Sequence, residues 1–244
     1  MMKMRGGAVR AYLELTKPRI WGLLTFTSFA TMLLASAEIY GRASAGLVGL
    51  GLASISMAGA GSEAVTSYLE RDIDGRMTRT RHRPVPSGRI SPPRKALYFG
   101  VALLAVSLGL AGAINAASLI LVSLGALNNI LIYTILAKRT TSLNILFGSF
   151  GGAAPTLFGW AVVAGALSLP AVLLAFLIIV WTPWHIWALA YCYREDYRGV
   201  GVPMLTAVKS EKTSVGVIAS AALVMVAFSI GISHLGVAGI IYSI

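Results

Sequence analysis

Four side chains that could bind a cation or a polar ligand recur at helical spacing near residue 70: Glu63, Thr66, Glu70 and Asp74. Spacings of three and four residues return to one face of an α-helix, so these side chains lie within an arc of about 80°. Carboxylates that share a face in an apolar helix repel each other and need a compensating cation. Mg²⁺ prefers carboxylate oxygens and commonly bridges them to a phosphate group. The spacing therefore predicts a magnesium site that includes Glu70 and Asp74.

An arginine-rich segment, Arg76–Arg89, follows these acids directly. Planar, permanently charged guanidinium groups suit phosphate oxygens. A second acidic corner comes later in the chain, at Glu195 and Asp196. If the two corners face each other, Asp196 shares metal ions with Glu70 and Asp74, and a diphosphate lies between them.

A simpler interpretation of both corners is ion pairing at a solvated helix end, where a pair contributes about 0–1 kcal/mol. The first acidic corner would then pair with Arg71, Arg76 and Arg79, and Asp196 would pair with Arg194 or Arg198.

Two further ionisable residues lie in apolar runs, where such residues are functional candidates. Glu63 lies deeper in its run than Glu70, and it either pairs with a cation from another helix or accepts a proton. His185 is either a functional residue or one partner in a hydrogen bond between helices.

The composition is that of a membrane protein. Hydrophobic residues make up 57% of the 244 residues, charged residues make up 12%, and the mean hydropathy is +0.78. A net charge of +11 would ordinarily suggest nucleic acid, but cations beside apolar runs indicate contact with anionic lipid headgroups. We expect membrane lipid, and not nucleic acid, as a partner. The single cysteine, Cys192, excludes an intramolecular disulfide.

Apolar runs of about 20 residues, the length that crosses a bilayer, predict an all-α polytopic membrane helix bundle. A last apolar piece, Leu235–Ile244, resembles an eighth helix cut off at its start. We therefore expect a single domain, 1–244, without its C-terminal helices. The seven complete spans are predicted at 20–37, 44–69, 95–113, 116–136, 143–164, 168–190 and 214–233.

The basic residues indicate the orientation of these spans. Nearly all of them lie before about residue 20 or after spans two, four and six, and Arg42 is the exception. Basic loops stay on the cytoplasmic side of a membrane. This predicts a multi-pass protein of the cell membrane with its N-terminus and acidic corners in the cytoplasm.

Five runs in the order of the chain resemble the UbiA-type intramembrane prenyltransferases, in particular their protohaem-farnesylating branch. The likeness covers roughly residues 12 to 244. The runs are Arg71–Pro84, Tyr133–Ile145, Gly151–Trp160, Pro183–Leu189 and, in the last part, Arg194–Tyr197 with Val202–Leu205.

This resemblance implies nine spans around a central cavity and transfer of farnesyl from farnesyl diphosphate to a vinyl group of haem b, which gives haem O. It implies Mg²⁺ as the cofactor, held by Glu70, Asp74 and Asp196 as catalytic residues, and haem as a substrate that His185 contacts. Pyrophosphate leaves with concentrated negative charge, and stabilising such charge is usually the largest catalytic contribution. The residues that the resemblance assigns to substrate binding are Thr66, Arg79, Arg83, Lys138, Arg139, Arg194, Lys209 and His185.

The sequence departs from the family pattern in three places. In the family's first motif, Asn-x-x-x-Asp-x-x-x-Asp, Thr66 replaces Asn and Glu70 replaces the first Asp, and Arg194 stands where Lys is usual. Glu keeps a carboxylate, whereas Thr keeps only a hydroxyl.

An allylic cation also needs a dry aromatic lining. The aromatic candidates are Tyr68, Trp160, Trp184 and Trp187, which could instead be packing or interfacial residues.

Three functions fit these observations. The first is haem farnesylation. The second is prenylation of another acceptor, such as an aromatic acid, a quinone precursor or a glyceryl phosphate, because the acidic corners recognise only the metal diphosphate. The third is a non-catalytic haem-binding carrier or assembly factor. A transporter is disfavoured because nearly all charges lie at one face of the membrane.

Overall fold

The computed structural model describes residues 2–38 and 43–234, and within these ranges all regular secondary structure is helical. All seven predicted spans are present as helices long and apolar enough to cross a membrane. The predicted eighth helix at 235–244, and Arg42, lie outside the described residues. The long helices are α2 (Pro18–Glu38), α3 (Ala45–Leu69), α5 (Arg94–Ile114), α6 (Ala116–Leu127, continued by a π-helix at Asn128–Ala137), α7 (Asn144–Ala164), α8 (Leu169–Cys192) and α11 (Glu211–His234).

Four shorter helices complete the described fold. None was predicted as a separate element, because short polar helices lack the long apolar run that marks a span. They are α1 (Met2–Leu15), α4 (Arg71–Arg76), α9 (Arg194–Gly199) and α10 (Leu205–Val208).

Polar caps fix the helix ends at the face opposite the acidic corners. The Ser44 side chain accepts a hydrogen bond from the N–H of Leu47 and begins α3. The Asn115 side chain accepts one from the N–H of Ser118 and begins α6. Gly165 ends α7 with a φ of +70°, a conformation that glycine adopts without strain. These turns are short, so neighbouring spans run antiparallel.

Small residues bring the helices into close contact. A Cβ atom on Gly61 of α3 would lie 2.8 Å from the carbonyl oxygen of Gly100 on α5. A Cβ atom on Gly159 of α7 would lie 2.2 Å from the carbonyl oxygen of Ser28 on α2. Because the hydrophobic effect does not drive association inside a lipid bilayer, such backbone contacts are a main source of packing energy between spans.

Helix α7 lies at the centre of the bundle. Two thirds of its span (67%) are buried, compared with 6% for α11, which packs mainly on α8 at the edge. The residues of α7 from Ala153 to Val162 form much of the main core with α2, α3 and α6. The centre of the bundle is therefore fixed by α7, and the cavity described below lies beside it.

Candidate active site

The first acidic corner is built where α3 meets α4. Glu70 lies between the two helices, and its backbone N–H donates to the Thr66 carbonyl at 2.8 Å. The N–H of Asp74 donates to the Glu70 carbonyl at 2.8 Å. The helical hydrogen-bond spacing thus continues across the junction and keeps Glu70 and Asp74 one turn apart, as the sequence predicted.

Both carboxylates are buried and each has a cationic partner. Glu70 forms an ion pair with Lys138, which follows the π-helix. Arg83 donates through Nη1 to both carboxylate oxygens of Asp74, at 3.0 and 2.9 Å. The acids at this corner do form ion pairs, as predicted. The predicted partners Arg71, Arg76 and Arg79 are wrong. The actual partners come from a following loop and from another helix.

The surrounding charges keep this corner ionised. Burial raises the pKa of Glu70, but the positive charges of Lys138, Lys17 and Arg83 outweigh it and leave the pKa below its usual value. Burial would lower the pKa of Lys138, but the negative charge of Glu70 raises it above the usual range. Near neutral pH both partners are charged, so the corner can exchange one cation for another.

Asp72 points away from Glu70 and Asp74, as its position on the helix predicts. Arg139 donates to its two carboxylate oxygens through two guanidinium nitrogens, each at 2.8 Å. That hydrogen-bonded pair lowers the pKa of Asp72 to about 2. Arg139, predicted to bind substrate, is therefore paired with an acid outside the predicted metal set.

The second acidic corner meets the loop that follows the first. One oxygen of Asp196 accepts from the backbone N–H of Thr78 at 3.2 Å, and the other accepts from that of Arg79 at 3.1 Å. The predicted pairing of Asp196 with Arg194 or Arg198 is absent, and both arginines contact Glu195 instead. The two corners therefore approach each other through the loop at residues 78–79.

Arg79 lies between the corners with unused hydrogen-bonding capacity. Its guanidinium group lies over the ring of Tyr193 at 4.8 Å, and its buried Nε has no hydrogen-bond partner among the described residues. Arg79 and Asp196 line the same surface pocket, of about 410 Å³. A buried unpaired donor is costly, so Arg79 is a strong candidate to bind an anion.

The remaining predicted substrate residues differ in their surroundings. The Thr66 hydroxyl donates to the Glu63 carbonyl at 3.2 Å, within its own helix. Arg194 lies over the ring of Tyr191 and 3.5 Å from Glu211. Lys209 is exposed after α10. The structure places Arg83, Lys138 and Arg79 at the corners, and it places Thr66, Arg194 and Lys209 around them.

A central cavity of about 300 Å³ lies on the membrane side of the first corner. Tyr133 joins the two, because its ring lines the cavity and lies 5.5 Å from the Lys138 ammonium. The lining is mostly apolar, with a few polar groups, as is usual for ligand pockets. It consists of Ile20, Leu24, Glu63, Asn129, Tyr133, Ile145, Gly148, Gly151, Gly152, Thr182 and Ile186.

The four predicted aromatic lining residues do not border this cavity. Trp160 and Trp187 are buried in hydrophobic clusters. Tyr68 packs against Arg71, and the indole N–H of Trp184 donates to Met225 on α11. Tyr133 is the aromatic residue that sequence reasoning missed, because helix rotation about the cavity cannot be derived from hydropathy alone.

His185 lies on a different side of α8 from the cavity-lining residues Thr182 and Ile186. Its imidazole stacks on Trp181, with the ring centres 4.3 Å apart, and forms an edge contact with Trp184. No hydrogen bond joins it to another described side chain, so the predicted alternative of an interhelical hydrogen bond has no counterpart in the described part of the chain. His185 and its two tryptophans form an aromatic group on α8, and one of the tryptophans, Trp184, contacts α11 through Met225.

Lys17 was missed by the sequence analysis. Its ammonium lies 2.6 Å from the Glu63 carboxylate, and both side chains are largely buried. Glu63 therefore pairs with a cation, as one of its two predicted roles required, but that cation comes from the turn between α1 and α2 and not from another helix. The signal in the sequence was the carboxylate of Glu63 inside an apolar run, seven residues before Glu70, because a charge at that depth needs a partner.

The chemistry of the first corner fits a magnesium diphosphate. Mg²⁺ commonly uses one or two carboxylates, and substrate phosphates supply further oxygens. Glu70 and Asp74 offer two such carboxylates one turn apart. Among the described residues no group of three or more acids, histidines or cysteines is arranged to hold a metal. Asp196 is instead held by backbone N–H groups, so its share in the metal site stays a prediction.

Comparison with known proteins identifies relatives along most of the chain. The model of the UbiA prenyltransferase family matches residues 23–244. A protoheme IX farnesyltransferase of Desulforudis audaxviator is 44% identical over 96% of this chain and 73% of its own length. One of Thermoplasma volcanium is 37% identical over 91% of this chain and 77% of its own length.

Solved structures share the fold at lower sequence identity. A UbiA homologue from Archaeoglobus fulgidus, bound to GPP and Mg²⁺, matches with a TM-score of 0.75 and 19% identity, over 95% of this chain and 80% of its own. A digeranylgeranylglyceryl phosphate synthase matches with a TM-score of 0.75 and 21% identity, over 96% of this chain and 80% of its own.

Proposed function

This chain belongs to the UbiA prenyltransferase family, and from that premise we propose that it transfers farnesyl from farnesyl diphosphate to a vinyl group of haem b. The product is haem O. The observation that carries the proposal is the buried pair of carboxylates, Glu70 and Asp74, linked to an apolar cavity through Lys138, which pairs with Glu70, and Tyr133, which lines the cavity. The names of the relatives that match over most of the chain support haem as the acceptor.

The diphosphate end of the substrate lies at the acidic corners. Glu70 and Asp74, with Asp196 as a third proposed ligand, would hold Mg²⁺, which would supply positive charge to the departing pyrophosphate. Lys138 and Arg83 are freed from these carboxylates when the substrate binds, and their cationic groups then contact the phosphate oxygens. Arg79 contributes its unpaired Nε to the same anion.

Around these groups lie residues that we propose as weaker contacts. Thr66 holds the helix turn between Glu63 and Glu70, and Arg139, Arg194 and Lys209 extend the positive surface through which the diphosphate enters. Long-range attraction of this kind raises the association rate more than the affinity.

The prenyl end lies in the central cavity. When the bond between C1 and the diphosphate oxygen breaks, the electron pair leaves with pyrophosphate and an allylic cation remains. Apolar walls keep bulk water from this cation, and the face of the Tyr133 ring stabilises positive charge. The π electrons of the haem vinyl group then form the new carbon–carbon bond, and the positive charge left on the inner vinyl carbon is removed when that carbon bonds to the oxygen of water and a proton is lost.

We propose that His185 contacts haem. Its imidazole is stacked on Trp181 and has no hydrogen bond to another described side chain, so a ring nitrogen is available to iron or to a propionate. A planar porphyrin suits the aromatic surroundings that Trp181 and Trp184 provide.

We further propose that the protein lies in the cell membrane with the acidic corners in the cytoplasm. The basic segments follow α3, the π-helix and α8, so they lie at one end of the bundle. Positively charged loops remain on the cytoplasmic side during membrane insertion.

The test is to incubate the purified protein with haem b, farnesyl diphosphate and Mg²⁺ and to measure the porphyrin products by mass spectrometry. We expect farnesylated haem with the wild-type protein and with Glu70→Asp, which keeps a carboxylate. Prenylation of a benzoate or a glyceryl phosphate, but not of haem, would support another acceptor. Haem binding without product from either acceptor would favour a carrier.

A further inference from the structure

Glu63 is a buried acid for which the ionisation step above has no use. It lies seven residues before Glu70 on α3, which is about 10 Å along the axis on nearly the same face. Its side chain lines the central cavity and a smaller adjoining cavity of about 50 Å³. A prenyl chain that extends from the acidic corner into the central cavity therefore meets this carboxylate at the wall.

Lys17 fixes the position of Glu63. The ammonium contacts Oε2 at 2.6 Å, whereas Oε1 accepts no hydrogen bond from a described residue. The Lys17 backbone has a φ of +51°, which side chains other than glycine rarely adopt, so its neighbours must hold it there. Thr16 joins the flanking helices, since it donates to the Leu13 carbonyl and accepts from the Trp21 indole.

Asn129 provides a second polar group in the same cavities. It lies in the π-helix, and its side-chain amide makes no hydrogen bond with another described residue. A π-helical turn often marks a functional position. One free carboxylate oxygen and one free amide at the wall of an apolar cavity could hold a single water molecule, which needs two to four polar partners.

The proposed reaction requires both a nucleophile and a proton acceptor. Joining farnesyl C1 to the terminal vinyl carbon of haem leaves positive charge on the inner vinyl carbon. That carbon can bond to the oxygen of water, which must then lose a proton. A carboxylate in hydrogen-bond reach of the water can take this proton.

Building on the proposed function, we infer that Glu63 is the general base of a hydration step, with Asn129 as the second group that holds the water. The water oxygen bonds to the inner vinyl carbon, and its proton moves to Glu63 Oε1. The sum is haem, farnesyl diphosphate and water giving hydroxylated farnesyl haem, pyrophosphate and one proton. Lys17 is a positioning residue, because it acts through the carboxylate.

The experiment compares wild-type protein, Glu63→Gln and the double variant Lys17→Gln/Glu63→Gln, which leaves no unpaired charge in the bundle. Each is supplied with haem b, farnesyl diphosphate, Mg²⁺ and water that carries heavy oxygen. Mass spectrometry measures labelled hydroxylated product and product lighter by one water, and a phosphate assay measures pyrophosphate release. Glu14→Gln, a half-buried acid of α1 that does not line the cavity, is the matched control.

We expect labelled hydroxylated product from the wild type and the control. Both Glu63 variants should lose at least nine tenths of it, as expected when general-base catalysis worth about 100-fold is removed, while pyrophosphate release continues and the lighter product increases. Wild-type amounts of hydroxylated product from both variants would overturn the role of Glu63 but not the proposed function. Equal loss of pyrophosphate release would also overturn it, because Glu63 would then act in ionisation. Absence of farnesylated haem from the wild type would overturn the proposed function itself.

Discussion

The two acidic corners of this bundle have the same residue types in opposite environments. At the first corner the carboxylate side chains of Glu70 and Asp74 are 7% and 5% exposed and each pairs with a cation. At the second corner the Glu195 side chain is 74% exposed and forms ion pairs with Arg194 and Arg198. Asp196 lies beside it and accepts two backbone N–H groups.

Burial accounts for the different roles of these corners. A buried ion pair gains little over apolar packing, but removing one partner leaves an uncompensated charge that destabilises the fold strongly. An exposed pair contributes little either way. The first corner is therefore a place where charges must be exchanged one for another, as we propose for a metal diphosphate that takes the places of Lys138 and Arg83. At the second corner Asp196 holds the loop at residues 78–79 through two backbone hydrogen bonds.

The largest expected effect is that of Asp74→Asn on activity. We expect farnesyl transfer to fall by about 100- to 1,000-fold, because charge stabilisation at the leaving group is lost. Turnover with saturating substrates is the measurement. Asp72→Asn, two residues earlier on the same helix, is the control and should keep most activity. Equal activity of the two variants would remove Asp74 from the metal site.

The next effect concerns stability at the first corner. Lys138→Met should lower the free energy of unfolding by about 3–5 kcal/mol, because Glu70 stays buried without its partner. Thermal unfolding in detergent measures the loss. The double variant Glu70→Gln/Lys138→Met removes both charges and should recover most of it. If the single and double variants were equally stable, the charges of Glu70 and Lys138 would not stabilise each other.

Asp196→Asn tests whether the second corner reaches the metal. Asn keeps one acceptor oxygen for the two N–H groups of the loop, so we expect a stability loss of about 1.5 kcal/mol. We also expect a higher Mg²⁺ concentration for half-maximal activity, read from a metal titration. Glu195→Gln should change neither value. A metal requirement unchanged by Asp196→Asn would limit this residue to holding the loop.

The smallest effect is the pH dependence of the Asp72–Arg139 pair. Because the pKa of Asp72 is lowered to about 2 from 3.8, the pair stabilises the fold above pH 3.8 and loses this contribution as the pH falls through about 2. Asp72 is half exposed, so Asp72→Asn should cost under about 1 kcal/mol at pH 7. The free energies of unfolding of the wild type and of Asp72→Asn, measured from pH 7 downward, should converge near pH 2. A difference that stays constant with pH would contradict the ion pair.

The spans could be predicted from the sequence because each is a long apolar run with charged residues at one end or both. The same holds for the shared face of Glu70 and Asp74, which follows from local helical spacing. The partners could not be predicted. Lys138 lies 68 residues from Glu70 and Lys17 lies 46 residues from Glu63, and such contacts depend on how helices rotate and cross.

The rotation of the spans also decided which aromatic residues reach the cavity. Trp160 faces the core and His185 stacks on Trp181, while Tyr133 lines the cavity from the π-helix. The extra residue in each π-helical turn shifts side chains away from the positions that regular α-helical spacing predicts. Sequence periodicity therefore identifies the acidic corner more securely than it identifies the cavity wall.

Calorimetric titration of the wild-type protein with farnesyl diphosphate, with and without Mg²⁺, tests the central claim most directly. We predict binding that is strengthened at least tenfold by Mg²⁺ in the wild type, a difference of about 1.4 kcal/mol, and that loses this dependence in Asp74→Asn. Binding that is equally tight without Mg²⁺, or a full metal response in Asp74→Asn, would contradict a diphosphate held through Glu70 and Asp74.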